Sequence, residues 1–267
     1  MSAAAGQNAA PGQNADLGQS ADLGQSAAPA PAMLRAQTAM ELRLTLRRGE
    51  SLLLTMIIPL VLLVFFRAAN LQGAGIDFLV PGVLALAVMS TAFTGQAIAT
   101  GYERAYGVLT RLGTTPLTRV QLLAAKTLSV LAVELLQAVL IVAVGLGLGW
   151  HPGGNPAAAL LLLIVGTAAF SGLGLLMAGA LRAEATLAGA NGLYLLLLLL
   201  GGVVFPLDRL PGWLQAVGER LPTAALSHGL RMALTRPGGL DGSDLLVLVG
   251  WAVIALTAAA RTFRWEA

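Results

Sequence analysis

From Gly101 to Lys126 the chain reads GYERAYGVLTRLGTTPLTRVQLLAAK. Glu103, Arg104, Arg111, Arg119 and Lys126 concentrate charge here, and a long apolar run lies on either side. Gly113-Thr114-Thr115-Pro116 breaks its middle, because proline has no amide donor and glycine disfavours helix. A charged island of this length between runs long enough to cross a bilayer is a loop joining two membrane-spanning helices. Its charge and its break make it the natural place for another protein to apply force.

Composition supports that frame. Of 267 residues, 57% are hydrophobic and 11% charged, whereas a soluble domain carries about 25% charged residues. The formal net charge is +3, but the arginines flank apolar runs and do not cluster on one face, which argues against nucleic acid as a partner. There are no cysteines, which removes disulfides, thiolate metal sites and cysteine nucleophiles. The two histidines, His151 and His228, lie far apart, with no ligand-like spacing.

Residues 1 to 32 are low-complexity: GQNA recurs from 6 and from 12, and ADLGQS repeats in tandem over 15 to 26. Such a stretch buries too little apolar surface to offset its ordering entropy, and it lacks the basic and apolar regions of a signal peptide. It is expected to be a disordered cytoplasmic tail ahead of a membrane domain over 33–267. From Met33 to Arg48, Leu34, Met40, Leu42, Leu44 and Leu46 alternate with Arg35, Glu41, Arg43, Arg47 and Arg48. This predicts an amphipathic helix at the membrane interface, with a plain solvated helix as the alternative.

Six apolar segments follow, at about Ser51 to Phe66, Phe78 to Thr100, Gln121 to Gly149, Ala157 to Leu181, Thr186 to Phe205 and Asp244 to Ala260. In lipid they must be helices, since open strand edges would leave backbone groups unpaired. The first is short for a core that needs about 20 residues, so preceding residues are expected to extend it. With an even number of spans, one side holds Arg35, Arg43, Arg47, Arg48, Arg104, Arg111, Arg119, Lys126, Arg182, Arg261 and Arg264. The other holds only Arg67, Arg209, Arg220, Arg231 and Arg236. The richer side is the cytoplasmic one, which places both termini and the 101–126 loop there.

A second informative stretch, Pro206 to Ser243, precedes the last span. Trp213, Leu214, Val217 and Leu221 share one helical face, and Leu226, Leu230 and Leu234 repeat the pattern after Pro222. Two short helices punctuated by Pro211, Pro222 and Pro237 are expected, dipping into the outer leaflet or covering the external mouth. An interfacial loop anchored by Trp213 is the other reading. Inside the spans, Gln96, Glu134, Gln137 and Asn191 are candidates for a substrate pathway, because buried polar groups in lipid face a cavity or a partner. Helix-packing hydrogen bonds are the competing role for all of them.

No GxxxxGK[ST] occurs, so a P-loop motor is not in this chain. No HExxH, paired intramembrane acids or Ser/His/Asp set points to an enzyme or a proton-coupled carrier. A transport domain driven by a separate motor fits this combination.

Two motifs carry a family resemblance. Glu103-Arg104-x-x-Gly107-x-Leu109-x-x-Leu112 is followed by Thr115-Pro116-Leu117-x-Arg119, and Phe205-Pro206-Leu207, Leu210-Pro211-x-Trp213-Leu214, Leu221-Pro222 and Gly229-Leu230-Arg231 follow in order. From about residue 33 onward the chain resembles the membrane permease of type-2 ABC exporters, in the branch of daunorubicin-resistance and nodulation-factor export permeases. Val108 stands where that family usually has threonine.

The resemblance implies an all-α membrane protein of six transmembrane helices, with an N-terminal interfacial helix and a cytoplasmic coupling helix between spans two and three. It also implies an external re-entrant element that includes Pro206, Pro211, Trp213, Pro222 and Arg231. A cytoplasmic ATP-binding subunit, which holds MgATP, would dock on Glu103, Arg104, Gly107, Arg111, Thr115, Pro116 and Arg119. A second permease copy or paralogue would complete the pathway in the plasma membrane, and the cargo would be an exported drug, lipid or glycolipid. The alternative of another class is a non-conducting membrane scaffold or regulatory subunit that recruits an ATPase.

Overall fold

The backbone in the computed structural model is described for residues 29–47, 49–69, 75–203, 207, 211–235 and 239–264, with side chains left undescribed at 50–52. Nearly all of the expected tail lies outside these residues, as do Arg48, Phe205, Pro206, Arg209, Leu210, Arg236 and Pro237. Among the described residues the regular elements are all helical: α1 (Ala30–Arg47), α2 (Gly49–Ala68), α3 (Ile76–Val88), α4 (Gln96–Ala105), α5 (Val108–Gly113), α6 (Arg119–Gly147), α7 (Pro156–Ala180), α8 (Ala183–Leu200), α9 (Gly212–Gly218), α10 (Pro222–Thr235) and α11 (Gly242–Thr262). A π-turn over Met89–Gly95 joins α3 to α4, so that Ile76–Ala105 is one continuous helix.

Among the described residues, five helices are long and apolar enough to cross a membrane: Ile76–Ala105, α6, α7, α8 and α11. The first expected span is α2, 20 residues long, apolar over Leu53–Ala68 among the described side chains. The chain is a multi-span helical membrane protein. Local chemistry starts three of the long helices. Thr118 and Gln121 form a reciprocal capping box at α6. Asn155 accepts from the Ala157 and Ala158 amides at α7, where Pro156 takes the first helical position. Asp241 accepts from the Ser243 amide at α11.

Helix α7 is central, packed against α11, α4, α10 and the π-turn. Gly174 permits that approach, since a Cβ there would stand 2.7 Å from the Phe93 carbonyl oxygen. The large core runs through the π-helical span and gathers Phe93, Phe170, Leu226 and Leu230. A smaller core of Leu109, Leu122, Leu123, Leu175, Ala259 and Phe263 closes one end of the bundle. At the other end, α10 is tied to the loop before α7 by the Gly154 amide to Leu234 carbonyl bond at 3.1 Å and the Asn155 amide to Ala233 carbonyl bond at 2.6 Å.

Two expectations need refinement. Helix α1 lies along α6, and the residue it buries is Glu41, while Met40, Leu44 and Leu46 stay exposed. An alternation of period two cannot form one face on a helix of 3.6 residues per turn, so the leucines are spread around it. In the second stretch the two short helices are present, but only α10 buries its leucines; Trp213 and Val217 of α9 are exposed.

Candidate functional site

The charged island folds into a hairpin at the end of the bundle closed by the smaller core. Helix α4 stops at Ala105, and Gly107 turns the chain with a φ of +71°, a left-handed value that glycine adopts without steric cost. Helix α5 follows, with Leu109 fully buried and Leu112 and Leu117 packed on the same core. The Thr114 and Thr115 hydroxyls donate to the Arg111 and Leu112 carbonyls at 2.8 and 2.6 Å. They thus satisfy acceptors that the helix end leaves open, and Pro116 follows. The face turned outward carries Tyr106, 76% exposed, with Val108, Arg111, Thr115, Pro116, Arg119 and Val120.

Glu103 and Arg104 point the other way. The Lys126 ammonium lies 2.6 Å from a Glu103 oxygen and 3.0 Å from a Glu41 oxygen, and its side chain is 5% exposed. One lysine, the only one in the chain, therefore joins α1, α4 and α6. Gln37 supports it by donating to the other Glu41 oxygen at 2.9 Å. The buried Arg104 guanidinium donates to the Gly179 carbonyl at 2.6 Å and to the Leu181 carbonyl. It holds the end of α7, where carbonyls have no helical partner.

The polar residues inside the spans mostly bind helix to helix. Pro59 has no amide hydrogen, so the Thr55 carbonyl four residues earlier lacks its helical donor. The Gln137 amide donates to that carbonyl at 2.6 Å, and the Gln137 oxygen accepts from the Thr91 hydroxyl at 3.3 Å. The buried Glu134 carboxyl accepts from the Thr167 hydroxyl of α7. Asn191 lies on the exposed side of α8, and its amide donates to the Leu187 carbonyl of its own helix. It is thus apart from the other three. Gln96 differs again: it is 5% exposed, neither side-chain amide atom has a hydrogen-bond partner among the described residues, and it lines a cavity of about 120 Å³.

At the opposite end, Arg231 of α10 sits 3.8 Å from the centre of the Phe78 ring and donates to the Gly202 and Val203 carbonyls at 2.8 and 3.2 Å. Burial lowers its pKa to about 10. Pro211 precedes α9 and the buried Pro222 opens α10. Histidine spacing in the sequence gave no hint that His228 lies 2.7 Å from Asp244, with Asp241 completing a cluster of ligand-type atoms within 4.8 Å.

The fold is a multi-span helical membrane bundle with a charged hairpin at one end. The chain matches the ABC-2 type transporter family over residues 34–235 and belongs to that family. It is also 25% identical over 236 residues to a Bacillus subtilis (strain 168) protein that carries the name transport permease YvfS, across 83% of this chain and 93% of that one. Family membership implies an ATP-binding partner.

Proposed function

We propose that this chain is the membrane subunit of an ATP-driven exporter in the plasma membrane, with both termini cytoplasmic. A separate MgATP-binding subunit docks on the outward face of residues 101–120, and a second permease copy or paralogue completes the pathway. The cargo is an amphipathic drug, lipid or glycolipid taken from the cytoplasm or the inner leaflet.

The observation that supports this reading most is the division of labour within the hairpin. Arg111, Thr115, Pro116 and Arg119 are exposed, as a contact surface requires. Glu103 and Arg104 are anchored to α1, α6 and α7. ATP can shift an inward–outward equilibrium only through a difference in binding between the two states. A load on α5 would reach three helices through those anchors and through Leu109. In this reading Arg111, Thr115, Pro116 and Arg119 touch the ATPase, while Glu103, Arg104 and Gly107 transmit.

The chain has no cysteine, so Arg111→Cys and Pro116→Cys provide unique cross-linking sites. Each is expected to cross-link to the ATP-binding subunit in membranes, with a yield that changes on nucleotide binding. Absence of an adduct at both positions would remove the docking assignment. The alternative of a non-conducting scaffold draws on Gln137 and Glu134, whose hydrogen bonds hold helices together. Substrate-stimulated ATP hydrolysis in liposomes separates the two, because a scaffold gives none.

A further inference from the structure

The cavity that Gln96 lines is framed by α1, α2, the π-helical span and α6. Its polar wall is rich in hydrogen-bond acceptors. The Thr45 hydroxyl donates to the Glu41 carbonyl at 3.0 Å and the Ser129 hydroxyl to the Lys126 carbonyl at 2.9 Å. Both oxygens therefore keep lone pairs for the cavity. The Glu41 and Glu103 carboxylates line the same wall together with the Lys126 ammonium they share, so this triad carries two negative charges against one positive. Gln96 adds a carbonyl oxygen and an amide nitrogen that have no partner among the described residues, and a buried polar group left in that state is costly. Leu44, Ala99, Val130 and Val133 form the apolar remainder.

We propose that this cavity binds the primary ammonium group of an amphiphile, with its alkyl portion against the apolar side. An ammonium brings three donors and a positive charge to a wall of acceptors beside a triad with one excess negative charge. A phosphate or sulfate would face those carboxylates unfavourably. A trimethylated ammonium would carry the charge but no N–H to satisfy Gln96, Thr45 or Ser129. The amphiphile is either a membrane lipid with an ethanolamine headgroup or a free alkylamine. The assignment does not depend on the docking role of α5 and is read without an ATPase.

The full-length chain is placed in nanodiscs of phosphatidylcholine, in discs with part of that lipid replaced by phosphatidylethanolamine, and in phosphatidylcholine discs titrated with octylamine. Tryptophan fluorescence reports the unfolding midpoint. A midpoint raised by phosphatidylethanolamine identifies the lipid headgroup, and a saturable rise with octylamine alone identifies a free amine; either supports the site. The Gln96→Leu variant removes an unpartnered amide, so it is expected to unfold no earlier than the parent in phosphatidylcholine alone. Its half-saturating amine concentration is expected to rise about tenfold, the equivalent of one lost hydrogen bond. Ser129→Ala, an independent lesion on the same wall, is expected to weaken binding in the same direction. No midpoint change with either amine, or an unchanged response in Gln96→Leu, would overturn the proposal.

Discussion

Lys126 and Glu103 meet at 2.6 Å beneath the hairpin, and the same ammonium reaches Glu41 at 3.0 Å. Removing the shared cation would leave two largely buried carboxylates without it. The Lys126→Met variant is therefore expected to lose about 3–5 kcal/mol of stability, read as a lower unfolding midpoint in detergent. Adding Glu41→Gln and Glu103→Gln removes both charges and should recover part of the loss. A Lys126→Met protein as stable as the parent would show that the triad contributes no stability.

Gln137 and Pro59 form a testable pair although they do not bond to each other. Gln137→Leu leaves the Thr55 carbonyl without the Gln137 donor and should cost about 1–3 kcal/mol. In a Pro59→Ala background the backbone amide returns as the helical donor, and the same Gln137→Leu change should cost distinctly less. Equal costs in the two backgrounds, measured as a double-mutant cycle, would show that Gln137 does not serve that carbonyl.

Charge reversal should separate contact from anchorage. Arg111 is exposed, so Arg111→Glu is expected to change stability by no more than about 0.5 kcal/mol while reducing association with the ATP-binding subunit and lowering transport. Glu103→Arg places a second cation beside Lys126 and should lower the unfolding midpoint as well as transport. Normal stability and full transport in Glu103→Arg would contradict the anchoring role.

Gly107 has open space around its missing Cβ, so the cost of substitution there lies in the backbone alone. Gly107→Ala is expected to lose about 1–2 kcal/mol through its left-handed φ, and Gly107→Asn less. Comparable losses for alanine and asparagine would assign the effect to something other than φ.

Much of the architecture was legible before any coordinates. Long apolar runs and the Gly-Thr-Thr-Pro break each depend on local composition, and the bilayer leaves helix as the answer for such runs. The hairpin between the second and third expected spans and the paired short helices of the second stretch are present where those signals placed them. Legibility failed where a residue's orientation mattered. Glu103 and Arg111 lie in one short charged run, yet one is anchored to Lys126 and the other faces outward. Leu46 and Glu41 of α1 exchange the places that hydrophobicity would assign them.

The sequence by itself determined that this is a multi-span helical membrane protein and where its loops fall. Those properties follow from transfer free energy and local backbone preference, which act on a few neighbouring residues at a time. Only the tertiary structure decided which polar groups meet: Lys126 with Glu41, 85 residues away, Gln137 with the Thr55 carbonyl, and Gln96 with none among the described residues. Such partnerships depend on how helices distant in sequence are rotated and stacked, and no local pattern encodes that rotation.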